Sequence, residues 1–134
     1  MTYLRQVSKT VANNPIARAV ARQQLRRALV DQQIALYLME PGEDCTELIE
    51  GLGTTLSMIG VAAEFEPRLK LDDPRLKVLR GGLSACKQLL LSSAGYDPAQ
   101  TVAICRALDE AESLNRDISA ESIQKAYMAL RNVQ

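Results

Sequence analysis

Residues 43–63, EDCTELIEGLGTTLSMIGVAA, decide the fold class. Leu48, Leu52, Leu56, Ile59 and Ala63 recur at spacings of four, four, three and four. That is the period of one buried helical face, not the alternation of a half-buried strand. Glu43, Asp44 and Glu47 fall in or near the first turn, where negative charge is favoured by the helix dipole. A helix over roughly Glu43–Ala63 is therefore predicted.

The chain on either side carries the same signal. Asn14-Pro15, Asp73-Pro74 and Asp97-Pro98 each place a capping side chain before a proline at the first helical position. The missing N–H costs nothing there, because that group has no intrahelical partner. The pairs predict helices over about Pro15–Met39 (ended by Pro41-Gly42), Arg75–Ala94 (capped by Gly95) and Pro98–Leu114. A further helix capped by Ser119 carries Ile123, Ala126, Tyr127 and Leu130. Residues 3–12 read as a short leading helix, broken at Asn13-Asn14-Pro15. Gly81-Gly82 marks a kink or break, at a cost of ~1 kcal/mol per glycine relative to alanine. Phe65–Asp73 reads as a connector with room for a short extended piece and no second strand to pair with it. The short link Asn115–Ile118 predicts that the last two helices form an antiparallel hairpin. The expectation is an all-α fold, a bundle of four to five helices, with residues 1–134 as a single helical domain.

Formal charge is balanced, with 16 basic and 16 acidic residues, so attraction to nucleic acid or acidic lipid is not a property of the whole molecule. The charges come in blocks. Residues 41–66 hold six acidic groups and no basic one, whereas residues 1–40 and 67–95 each hold six basic groups against two acidic. Residues 1–11 lack the apolar region of a signal peptide, and no apolar stretch approaches the ~20 residues of a membrane span. A cytoplasmic protein with no membrane contact is the expectation.

Chemistry is constrained by what is missing. Without histidine, Ser-His-Asp and Cys-His arrangements are impossible, as is a Cys/His zinc site. Cys45, Cys86 and Cys105 are widely spaced and sit near apolar stripes or a helix start, where a thiol acts as a small hydrophobe. Gly51-Leu52-Gly53 and Gly81-Gly82 fit neither a phosphate loop nor a dinucleotide fingerprint. The carboxylate groups Asp109, Glu110 and Glu112, and Glu47 with Glu50, lack a companion Glu-x-x-His element. No catalytic residue, metal or cofactor is expected.

Three features point toward interaction instead. Gly53, Ser57 and Gly60 share one side of their helix and permit close approach, either within the chain or between subunits. The helix from Pro15 carries two apolar stripes: Ile16, Val20, Val30 and Ile34, and a displaced second set, Leu25, Leu29 and Leu36. One stripe suffices for a surface helix, so two mean either a central helix packed on both sides or one that also meets another molecule; the second set, with Gly53, Ser57 and Gly60, is assigned to a protein interface. Arg18, Arg22 and Arg26 lie between the stripes, and Lys77, Arg80 and Lys87 form a row on a later helix. These rows either contact phosphates or, for the arginines, pair with the acidic block at Glu47 and Glu50. The expected function is a non-catalytic, self-associating protein–protein interaction module with a regulatory or accessory role, of the kind phage and mobile elements carry. The alternative is a small nucleic-acid-associated regulator using the two basic rows.

Overall fold

The computed structural model describes residues 15–40, 42–92 and 98–133. Among them are five helices and no strand: α1 (Pro15–Leu38), α2 (Thr46–Phe65), α3 (Pro74–Ser92), α4 (Pro98–Asp117) and α5 (Ala120–Val133). The all-α bundle read from the sequence is the observed architecture. The leading helix expected at 3–12 and the Gly95 cap lie outside the described residues.

Helix α2 is the hub and touches each of the other four. Its buried surface is wider than the single stripe that its sequence displays: Ile49, Thr55, Met58 and Ala62 join Leu52, Leu56, Ile59 and Ala63. Thr55 is accommodated because its hydroxyl donates to the Gly51 carbonyl at 3.0 Å, leaving no unpaired donor. By length and composition α2 alone among the described residues could cross a membrane, yet this apolar surface is the part that packs inside the bundle. Its start lies three residues later than predicted. The Asp44 carboxylate accepts from both the Thr46 N–H at 3.1 Å and the Thr46 hydroxyl at 2.8 Å, fixing the turn before the helix. Gly42, at φ 84°, supplies the left-handed residue that redirects the chain out of α1.

Helices α3 and α4 pack side by side. Arg75 near the start of α3 reaches Ser113 and Asp117 near the end of α4, so the two run antiparallel. Gly81-Gly82 does not break α3, which is continuous from Pro74 to Ser92. Gly82 is instead the contact point: a Cβ there would overlap the Ala107 side chain. Ala85, Ala107 and Ala111 keep the rest of this seam small and buried.

The predicted α4–α5 hairpin does not form. Helix α4 continues to Asp117, past the expected Leu114, and α5 packs on α2 and α1 with no contact back along α4. The reason lies at the corner. Ile118 is fully buried, Ser119 caps α5 through its hydroxyl to the Ser122 N–H at 3.1 Å, and both serines are held by Glu66 at the end of α2.

The paired glycines yield a test with opposite signs. Gly82→Ala forces α3 and α4 apart and should destabilise the fold by about 1–3 kcal/mol, as overpacking does. Gly81→Ala meets open space and should stabilise it by up to ~1 kcal/mol through helix propensity alone. Urea unfolding followed by far-UV circular dichroism measures both. Equal effects at the two positions would contradict the close approach at Gly82.

Candidate functional site

The two apolar stripes of α1 sit on opposite sides of the helix, and the structure inverts the role expected of them. Leu25, Leu29 and Leu36, the set assigned to an outside partner, are buried in the chain's own core. Ile16, Val20, Val30 and Ile34 face outward, with Ile34 55% exposed. Tyr37 and Leu38 extend this outer face and are 86% and 71% exposed. Polar contacts fix the rotation. The Arg22 guanidinium donates from Nη2 to the Asn115 and Arg116 carbonyls at 2.9 and 2.6 Å, and Gln33 donates to Asp109 at 2.8 Å. Arg22 therefore closes the C-terminal end of α4, where orphan carbonyls favour a cation. Turning α1 over would break these bonds and expose the leucines.

The small-residue set divides. A Cβ on Gly60 would lie 3.0 Å from the Leu79 side chain of α3, so this glycine serves packing within the chain. Gly53 faces open space, and Ser57 is half-buried beside it. Gly60 is thus removed from the interface assignment.

The basic rows do not merge. The Arg18 side chain lies outside the described residues, Arg22 is committed to α4, and Arg26 is exposed. Lys77, Arg80 and Lys87 are exposed along α3, which makes no contact with α1. Among the described residues no ion pair links Arg22 or Arg26 to Glu47 or Glu50. For Arg22, pairing with the acidic block is replaced by main-chain carbonyls.

Two polar clusters escaped sequence reading. Glu66 is only 4% exposed, yet its carboxylate is fully engaged. One oxygen accepts from the Ser119 N–H at 3.0 Å and the Ser122 hydroxyl at 2.8 Å, and the other from Arg68 Nε at 2.9 Å. Burial pushes its pKa up, but these donors outweigh burial and hold it down at about 2. The motif completes a capping box in which the acid comes from 53 residues away in sequence, so no local pattern could reveal it.

The second cluster surrounds Arg75. Its guanidinium meets both oxygens of Asp73 at 3.0 and 2.8 Å, Asp117 at 2.7 Å and Ser113 at 3.0 Å. These residues border an open depression of about 750 Å³ lined by Arg68, Lys70, Asp73, Arg75, Arg116 and Asp117. Charges of both signs alternate there, and Arg75 is already paired, so the depression presents no concentrated field to an anion.

Nucleophilic chemistry has little support in the thiols. Burial raises the pKa of Cys45, with Asp44 and Glu43 adding to it; burial takes Cys86 up to about 11; burial and Asp109 raise Cys105. Thiolate formation near neutral pH is suppressed at all three. No group of three or more Cys, Asp or Glu among the described residues is placed to hold a metal ion.

Glu66 carries a pH-dependent share of stability. Its carboxyl has an ordinary value of 4.5 and sits at about 2 in the fold, so its contribution is complete above pH ~4.5. It should disappear as pH falls through about 2, on the order of 3 kcal/mol in all. Glu66→Gln should remove most of that share at neutral pH and flatten the acid limb of a stability–pH profile. An unchanged profile would show that the corner at Ser119 is held by packing alone.

No protein-family model matches the chain, and neither a curated protein nor a solved structure is significantly similar to it. Among the described residues, the outer face of α1 carries a row of exposed apolar side chains, Ile16, Val20, Val30, Ile34, Tyr37 and Leu38.

Proposed function

We propose that the protein is a non-catalytic helical interaction module whose contact surface is the outer face of α1. The carrying observation is the exposure of Val20, Val30, Ile34, Tyr37 and Leu38 on one side of a helix already docked through its opposite side. Scattered apolar residues on a surface need no explanation, but a row along one helix is the pattern of an anchor for another helix. The self-associating, regulatory or accessory role read from the sequence is kept, with the contact moved from Leu25, Leu29 and Leu36 to the opposite stripe. A nucleic-acid role draws less support, because Arg22 is committed internally and the α3 row stands apart from α1.

A photo-crosslinking residue at Ile34, compared in cells with one at Lys77 on α3, tests the reading. Discrete protein adducts should form from Ile34 and be absent from Lys77. Adducts confined to Lys77, or none from Ile34, would overturn it.

A further inference from the structure

The outer face of α1 has an internal symmetry that bears on what covers it. Ile16, Val20, Gln23, Arg27, Val30 and Ile34 follow spacings of four, three, four, three and four, and all six are exposed. Alternating steps of three and four give the 3.5-residue repeat of a seam that stays against a second helix along its length. Read from either end, the chemistry is the same: isoleucine, valine, polar, polar, valine, isoleucine.

We infer that α1 pairs with α1 of a second copy of this chain, antiparallel, about a two-fold axis passing beside residue 25. This rests on the interaction-module reading and names its occupant. A two-fold contact requires that if residue i meets residue j, then j meets i. The seam satisfies this with Ile16 against Ile34 of the second copy, Val20 against its Val30, and Gln23 against its Arg27. Apolar layers meet apolar layers at both ends, and the polar residues meet in the centre, where the Gln23 amide oxygen accepts from the guanidinium. A parallel pair would instead stack Arg27 on its own copy and desolvate two like charges. A polar layer of this kind fixes register and orientation at some cost in affinity. An unrelated partner would have no need of the mirrored order.

The test is a charge cycle at two exposed positions of the full chain, read by equilibrium sedimentation over a wide concentration range. The parent should show a monomer–dimer equilibrium. Val20→Glu alone and Val30→Lys alone should each weaken it by roughly tenfold or more, because each desolvates an unpaired charge. Both substitutions on one chain should restore it to within about threefold, since the antiparallel order sets each glutamate against a lysine. In a parallel pair the combined variant would be weaker than either single one. The reversed pair, Val20→Lys with Val30→Glu, repeats the cycle should either first variant lose its circular dichroism. A parent that stays monomeric at every concentration overturns the inference, and adducts from Ile34 to another protein would then leave the module reading standing. Monomer without such adducts ends both, and a dimer that the combined variant fails to restore overturns the antiparallel register.

Discussion

Helix α2 is apolar around much of its circumference, and a helix of that kind has to be covered on several sides at once. Thr55, Met58 and Ala62 face a different direction from Leu52, Leu56 and Ile59, and all are buried. One neighbouring helix covers only one direction. Contacts with α1, α3, α4 and α5 together enclose the surface, which makes α2 the element around which the others are arranged. The remaining seams are adjustments to that demand: Gly60 admits Leu79 of α3, and Gly82 lets α4 lie against α3 closely enough to reach α2 as well.

The corner between α4 and α5 shows how a polar group completes what packing begins. Ile118 is buried at the turn, so the chain cannot leave the core between these helices. Four residues at two chain positions meet there: Glu66 and Arg68 after α2, and Ser119 and Ser122 at the start of α5. A carboxylate at a helix N-terminus satisfies orphan N–H groups and is favoured by the dipole. Because Glu66 directly follows the last residue of α2, the start of α5 is drawn over the end of α2 and away from α4. The long-range acid decides the topology that the short connecting segment suggested differently.

Helix positions were legible because their causes are local. Asp73-Pro74 and the proline at 98 mark starts that the structure places at the same prolines, and the α2 stripe is buried apart from its half-buried first member, Leu48. What could not be read was every feature set by a partner far along the chain. The extension of α4 past Leu114 depends on Arg22, 93 residues from Asn115. Gly82 reads locally as a weak point, and only the facing Ala107 turns it into a contact. The choice between the two faces of α1 is the sharpest case: leucine and β-branched stripes are equally apolar, and side-chain periodicity gives no preference for which turns inward. Arg22 and Gln33 make that choice, through acceptors on α4.

The inner seat of α1 is also the least complete in the bundle, which gives its outer face energetic significance. Leu25, Leu29 and Leu36 bury well, but Arg22 Nε, Gln24 Oε1, Gln32 Oε1 and both amide atoms of Asn115 are buried with no hydrogen-bond partner. Any hydrogen bond these atoms make is to water and not to the chain, so they add little to the docking of α1. Helix α3 has no counterpart to this deficit among the described residues, and neither does α5. A helix held mainly by three leucines gains more from a second contact than one already secured. Burial of Val20, Val30 and Ile34 against another helix would stabilise α1 in its docked position, because a partner that binds only the folded state shifts the equilibrium toward it. On the proposed reading, docking of α1 and recognition of a partner would be two halves of one equilibrium, coupled because the partner binds the docked helix and not the undocked one.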